Sequence, residues 1–370
     1  MSKIELLGLN EREIEDFAVS VGEQRFRGRQ IYRWIYRKNV GSFYDMSDVP
    51  KELRQKLDEN AEISLPRVIK ARISKDGTRK FLLEMADRKL IEMVAIPQSW
   101  KGGKKYTVCL STQVGCPLGC EFCATGQSGF ERDLTVGEIV GQVIVAEREI
   151  RNREKLSDEE RCVTNLVYMG MGEPLLNYDA VVDSVRLIND ERGINIGQRH
   201  ITISTAGIIP AIKRLAAEDL QITLAISLHA SSNEVRTGIM PINKRYPIKE
   251  IVEAVEEYTR ATGRRATFEY LLLDGINTGP EDARRLAGLI RPLLANVNLI
   301  PYNKVDESGF NRPNPYTVAQ FLSILEAAGV NATLREEMGT DIDAACGQLR
   351  SRRSHKVASY NRLKQENQGG

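Results

Sequence analysis

Histidine is scarce in this chain of 370 residues, and cysteine is little commoner: His200, His229 and His355 stand against six cysteines. No histidine lies close in sequence to the cysteines between 116 and 123, so a mixed Cys/His zinc site would lack its fourth ligand. Six cysteines without a secretory leader also argue against a disulfide framework. No apolar run approaches the roughly 20 residues of a membrane span, so no membrane partner is expected. The opening Met-Ser-Lys-Ile-Glu-Leu-Leu is neither a signal peptide nor an Arg-rich transit peptide, and the cytoplasm is the expected compartment. Charge of either sign is not in excess: the net is +2, so no global basicity announces a nucleic-acid partner. Repeats are missing, the only biased stretch being a polar tail ending Gln368-Gly369-Gly370 that should fray. A monomer is expected.

What is present begins with Cys116-Pro-Leu-Gly-Cys120-Glu-Phe-Cys123. Thiolates are soft donors suited to iron–sulfur chemistry. Three of them can hold three irons of a cubane cluster and leave the fourth iron open. A structural site would close that position, so the spacing points to chemistry, and to radical chemistry in particular. A zinc site remains the bland alternative.

The length suits about two domains. Residues 1–62 read as a helical accessory domain: Asn10 is an N-cap with Glu13 three residues on, a second helix turns Ile31, Trp34 and Ile35 inward, and a third follows Pro50. Residues 63–105 read as a β extension, with a hairpin turn at Asp76-Gly77, a strand over Leu90–Ile96, and a linker at Lys101-Gly102-Gly103-Lys104-Lys105. From 106 to 350 short apolar runs alternate with helical stretches. The strands are expected at Thr107–Leu110, Val163–Met169, His200–Ser204, Ile222–Ser227, Thr267–Leu272 and Val297–Ile300. Helices are expected at Val136–Ile150, Ala180–Leu187, Ala211–Ala217, Ile248–Thr259, Ala283–Leu294 and Val318–Ala328. Such β–α repetition predicts an α/β fold with a parallel sheet and right-handed crossovers, and six units make a partial (β/α)6 barrel. Residues 351–370 form the tail. Functional loops should then lie at the C-terminal ends of the strands, where the cysteine triad falls.

The same face collects other candidates. Phe122 can seat an adenine or simply anchor the loop. Met169-Gly170-Met171-Gly172-Glu173-Pro174 follows the second strand, and its glycines let backbone approach a ligand closely. Ser204-Thr205 and Ser227-Leu228-His229 end the next two strands, and Asn303 follows the sixth. Cys346 lies among small residues that leave it accessible. Cys109, on the first barrel strand, is undecided between a buried small hydrophobe and a reactive thiol, and Cys162 reads as the former.

Those runs carry a resemblance. Gln113 to Phe130, Met169 to Asn177, Ser227-Leu228-His229, Ile91 to Pro97 and Asp343-Ala344-Ala345-Cys346-Gly347-Gln348-Leu349 are similar to the RlmN/Cfr family of radical S-adenosylmethionine RNA methyl synthases, over about residues 10–350. The resemblance implies a radical SAM type of barrel, with Cys116, Cys120 and Cys123 on a [4Fe-4S] cluster. It implies that Gly172, Glu173, Ser204, Ser227, Leu228, His229 and Asn303 line S-adenosylmethionine, two molecules of which are used per turnover. It further implies that Cys346 carries the methyl as S-methylcysteine, that Cys109 forms a transient disulfide with it, and that Glu92 moves a proton. The ring carbons of adenine are not nucleophiles, which is why a thiolate must take the methyl first. The implied partners are 23S rRNA, with tRNA as a second substrate, an electron donor and a disulfide reductant. C2 of adenosine is the expected target, and the C8-methylating branch is the alternative. Lys304 and Glu336-Glu337-Met338 depart from the family's usual pattern.

The near-neutral total hides a basic segment. Arg25, Arg27, Arg29, Arg33, Arg37 and Lys38 interleave with Phe26, Tyr32 and Tyr36, a pattern that suits RNA contact. Arg350, Arg352, Arg353 and Lys356 are a candidate second patch near Cys346.

Overall fold

The structure is a computed structural model that describes residues 3–98, 104–157, 160–305 and 308–350. The accessory domain opens with β1 (Ile4–Glu5) and three helices, α1 (Glu11–Ser20), α2 (Arg25–Tyr36) and α3 (Lys51–Asn60); β2 (Ala61–Glu62) closes it by pairing in parallel with β1. The expected capping box forms: Asn10 Oδ1 accepts from Glu13 N at 3.0 Å, and Glu13 Oε2 accepts from Asn10 N at 2.7 Å. Helices α1 and α2 cross so closely that a Cβ on Gly28 would stand 2.4 Å from Glu15 Cα, so only glycine fits there. Ile31 and Ile35 are fully buried as expected, whereas Trp34 is only half-buried and donates its indole N–H to Asp48.

The β extension comprises β3 (Arg67–Ile73), β4 (Arg79–Glu84) and β5 (Leu90–Gln98), an antiparallel meander. It is not set apart from the barrel, because β5 pairs with β6 (Lys105–Cys109), bringing Val94 opposite Cys109. After β6 come the short antiparallel pair β7 (Gln113–Gly115) and β8 (Phe130–Asp133), which brackets the cysteine loop and its single turn α4 (Ala124–Gln127). Six further units follow: α5 (Val136–Glu154), β9 (Val163–Tyr168), α6 (Tyr178–Asn189), β10 (Ile201–Thr205), α7 (Ile209–Leu215), β11 (Thr223–Ser227), α8 (Asn233–Ile239), α9 (Ile248–Thr262), β12 (Ala266–Leu272), α10 (Pro280–Ile290), β13 (Ala295–Pro301), α11 (Pro315–Ala327) and β14 (Ala332–Leu334). Strands β6 and β9 to β14 run parallel, and the sheet stays open at β14 and β3. This is the expected partial barrel with one short parallel strand, β14, that the apolar pattern did not announce. Residues 101–103 of the expected linker and the whole of the 351–370 tail lie outside the described residues. Among the described residues no helix is long and apolar enough to cross a membrane.

Helix boundaries follow local chemistry. Helix α5 starts at a capping box between Thr135 and Glu138 and runs past Ile150 to Glu154, ending where Lys155 turns left-handed at φ 53°. Its buried Gln142 amide bonds both backbone groups of Ser111, which fixes the segment between β6 and β7. Tyr32 and Tyr36 tie the accessory domain down. The Tyr32 hydroxyl donates to Asp190 and the Tyr36 hydroxyl to Leu9 O, and both rings are buried. They are structural pegs, so of the three aromatics interleaved with the arginines Phe26 alone is exposed.

Candidate active site

Every barrel strand delivers its C-terminal end to one cleft of two joined lobes. The first, about 160 Å³, is lined by Cys116, Cys120, Phe122 and Cys123 from the cysteine loop, Gly172 and Glu173 after β9, Ser204 at the end of β10, and Ser227 and His229 at the end of β11. The second, about 240 Å³, is lined by Cys109, Asn303 and the Ala344–Leu349 segment. Cys123, Met169, Arg335 and Cys346 face both lobes. The cleft therefore gathers five thiols, none of them in a disulfide.

Burial governs the electrostatics. The Cys116 thiol is pushed up to about 12, the Cys120 thiol well above its ordinary value, and the Cys123 thiol upward, each chiefly by desolvation. Buried thiols ionise only against a cation. A soft thiolate triad on an otherwise apolar loop fits an iron–sulfur cluster, which supplies that positive charge. Among the described residues no three metal-binding side chains are drawn into a coordination shell, so the fit rests on the donor set and the shared lobe.

Glu173 is buried with both oxygens occupied: Oε1 accepts from Leu175 N at 3.0 Å and Oε2 from Ala206 N at 2.8 Å. Burial pushes its carboxyl up, partly offset by those bonds. His229 accepts at Nδ1 from Leu271 N at 3.1 Å, so its proton sits on Nε2, and burial holds its pKa down at about 3. Its ring meets Phe122 edge to face at 5.1 Å. Ser204 Oγ and Ser227 Oγ stand 3.4 Å apart at adjacent strand ends. The glycines of this lobe also have a packing reason to be there. A Cβ on Gly172, at φ 105°, would lie 2.7 Å from Gln113 Cβ, and one on Gly170 would lie 2.6 Å from Leu110 O. Close packing against residues 110–113 demands glycine at both positions, whatever the lobe holds.

The Cys346 segment is lashed in place from three sides. Gly347 O accepts from Ala124 N at 2.8 Å and Leu349 O from Thr125 Oγ1 at 2.6 Å, joining it to the cysteine loop. Gln348 Nε2 donates to Lys304 O at 3.0 Å. From the β extension, Lys80 Nζ donates to Asp343 O, and Glu92 Oε2 accepts from Arg350 N, each at 2.8 Å. Cys346 is exposed while Cys109 is buried, its thiol pushed up to about 12 by desolvation and by Cys346 nearby.

Two predicted site residues line neither lobe. Leu228 is fully buried behind the strand end, where its carbonyl accepts from Arg236 Nε. Glu92 is buried beside the second lobe, in an ion pair with Lys80 Nζ at 2.8 Å, and burial raises its pKa against that cation. Two residues were missed. Arg335 faces both lobes, approaching Glu269 at 3.8 Å and feeling Cys346 and Cys109. Arg236, fully buried, binds the carbonyls of Ala206, Ser227, Leu228 and Tyr246 and so ties β10 to β11 beneath the lobe. Neither carries a clear sequence signal: Arg236 sits in the short helix α8 and Arg335 follows β14.

The basic segment divides. Arg25 and Arg29 pair with Glu15 and Asp16 of α1, while Arg33, Arg37 and Lys38 face a separate cavity. Arg352, Arg353 and Lys356 of the second patch lie outside the described residues.

Comparison with known proteins agrees with this geometry. Residues 4–63 match the family described as ribosomal RNA large subunit methyltransferase N-terminal domain, and residues 110–287 match the radical SAM superfamily. A "probable dual-specificity RNA methyltransferase RlmN" of Syntrophomonas wolfei is 54% identical over 351 residues, covering 95% of this chain and 98% of that one. The "dual-specificity RNA methyltransferase RlmN" of Alcanivorax borkumensis is 43% identical, covering 96% and 93%. The crystal structure of a radical SAM methyltransferase from Sphaerobacter thermophilus superposes with a TM-score of 0.89 at 42% identity, covering 94% of this chain and all of that one. The superfamily works with a [4Fe-4S] cluster and S-adenosylmethionine, and these are the cofactors here. With the whole length matched and the thiols gathered at one cleft, the chain belongs to the RlmN family of radical S-adenosylmethionine RNA methyltransferases.

Proposed function

We propose that the protein methylates C2 of an adenosine in 23S rRNA, and the adenosine beside the anticodon of tRNA, through a methyl group carried on Cys346. The observation that carries this reading is that Cys346 borders both the lobe of the cysteine triad and the lobe of Cys109. A radical enzyme of another kind would have no use for that accessible thiol. Cys116, Cys120 and Cys123 would hold the cluster, and Gly172, Glu173, Ser204, Ser227, His229 and Phe122 would seat S-adenosylmethionine. Asn303 would contribute from the second lobe and Leu228 through its backbone. When bound, the cluster supplies the electron that turns S-adenosylmethionine into a hydrogen-abstracting radical.

The chain's own residues do the rest. Cys346 Sγ, as thiolate, attacks the methyl of the sulfonium, displaces S-adenosylhomocysteine and carries the methyl as a thioether. That methyl loses a hydrogen atom to the radical, and its carbon bonds to the ring carbon. Glu92 takes the proton that the ring carbon must lose, while the adduct's odd electron would pass back to the cluster. Its burial-raised pKa suits this role once the carboxylate is free of Arg350 N. Cys109 Sγ then attacks Cys346 Sγ, the carbon–sulfur bond breaks, the leaving carbon takes its electron pair and a proton so that the released base carries CH3, and a disulfide is left. An external dithiol reductant reopens it, and a separate donor supplies the cluster's electron. Such reductants and an RNA substrate suit the cytoplasm. The target adenosine must be unstacked to enter the cleft.

Methylation of ribosomal RNA and tRNA side by side, followed by mass spectrometry of the digested nucleosides, tests the proposal. Wild type should yield 2-methyladenosine and Cys346→Ala none. Full transfer by Cys346→Ala would end the carrier role, and 8-methyladenosine would move the enzyme to the C8 branch.

A further inference from the structure

A cavity of about 530 Å³ lies at the opposite pole of the barrel, between the accessory domain and the N-terminal ends of the strands. Arg33, Arg37 and Lys38 approach it from the end of α2, Arg151 from the last turn of α5, and Arg161 from the segment that enters β9. The Gly193–Asn195 turn, between α6 and β10, completes the lining. Among the described residues, every charged side chain that lines it is a cation. Glu147 lies beside it and neutralises one of the five cations: it pairs with Arg151 Nη2 at 2.8 Å and also accepts from Cys162 N and Val163 N.

Three of the remaining cations are underemployed. Arg161 makes no side-chain hydrogen bond among the described residues, and neither do Arg33 and Lys38. Arg151 Nε is buried without a partner. Burial depresses the Arg161 pKa, with Glu147 opposing and Arg151 and Arg37 adding to the fall. Like charges gathered in a cleft with unused N–H donors are the complement of a phosphate, which guanidinium groups bind through paired N–H···O bonds. Exposed Arg33, Arg37 and Lys38 carry the charge from the cavity out onto the surface, so the site is open to a polymer as well as to a small ion.

We propose that this cleft is a phosphate-binding site that takes the sugar–phosphate backbone of the RNA substrate, far from the cysteine loop. The inference rests on the RNA reading above and adds a second point of grip. A folded RNA held at both poles is fixed in orientation while its target base is presented to the catalytic cleft.

Full-length protein is titrated with labelled tRNA over a range of salt concentrations, as wild type, Arg161→Gln and Lys38→Gln. Each variant should bind about fivefold more weakly at 0.15 M salt and lose roughly 0.7 to 0.9 from the salt slope. Lys38 is exposed, so its variant reports even if Arg161→Gln folds poorly. Unchanged affinity and slope in both variants, with a sloping wild type, would overturn the site. A wild type without salt-dependent RNA binding would instead overturn the RNA reading itself. Calorimetry with inorganic phosphate separates the sources: heat lost in Arg161→Gln with the RNA slope intact would make this a free-anion site and overturn the RNA assignment.

Discussion

Arg236→Met tests how the cofactor lobe is held together. The guanidinium is fully buried, and among the described residues it faces no carboxylate at ion-pair distance. Its Nε donates to Leu228 O at 3.0 Å; Nη1 donates to Asn243 Oδ1 at 3.0 Å and Tyr246 O at 3.2 Å; Nη2 donates to Ala206 O at 2.6 Å and Ser227 O at 3.3 Å. Burial lowers its pKa to about 10, which leaves it charged at neutral pH. Methionine fills much of the same space but orphans four backbone carbonyls, roughly 4 kcal/mol at about 1 kcal/mol each. Removing a buried charge gives part of that back, so the expected net loss is about 2–4 kcal/mol. Urea unfolding would read it as a lower midpoint. S-adenosylmethionine affinity should fall as well, because Ser204 and Ser227 lose their fixed spacing. Arg236→Lys should rescue little, since one ammonium cannot fork across two strand ends. A loss under about 1 kcal/mol, or full rescue by lysine, would refute the reasoning.

Two other perturbations follow from buried charge. Lys80→Met should cost about 3–5 kcal/mol by stranding the Glu92 carboxylate, and Lys80→Met/Glu92→Leu should recover most of it; additive losses in urea unfolding would show that the pair is not coupled. His229 is protonated near its ordinary 6.5 in the unfolded chain but only near 3 when folded. Acid therefore favours unfolding below 6.5, and stability should fall by about 2 kcal/mol from pH 7 to pH 5 through this group. Urea midpoints of His229→Gln should lack that component, and an identical pH slope in the variant would count against a neutral buried ring.

The six β–α units were legible because each strand is a short run of buried apolar residues bounded by a helical stripe. Boundaries moved where polar residues continue a helix, as Arg151–Glu154 do beyond the last apolar contact of α5. The β7–β8 pair and β14 were not legible, since three or four residues with one or two apolar side chains carry no period. The cysteine triad, the strand-end hydroxyls and Cys346 were legible as motifs. What the motif could not say is which atoms face the cleft: Leu228 turns its side chain away, and Glu92 is engaged with Lys80 and the backbone of Arg350. Tyr32 and Tyr36 share a helix with arginines, yet their partners, Asp190 and Leu9, are remote or lie in a loop. The split of the basic segment likewise depends on Glu15 of the neighbouring helix.

The bonds from Ala124 N to Gly347 O and from Thr125 Oγ1 to Leu349 O make the loop that would house iron and the loop that would carry the methyl a single mechanical unit. Linkage then requires reciprocity: whatever order the cluster imposes on one loop is felt by the other, and a methylated Cys346 must in turn alter how firmly the iron is held. If both roles are as proposed, whatever loosens one loop loosens the other.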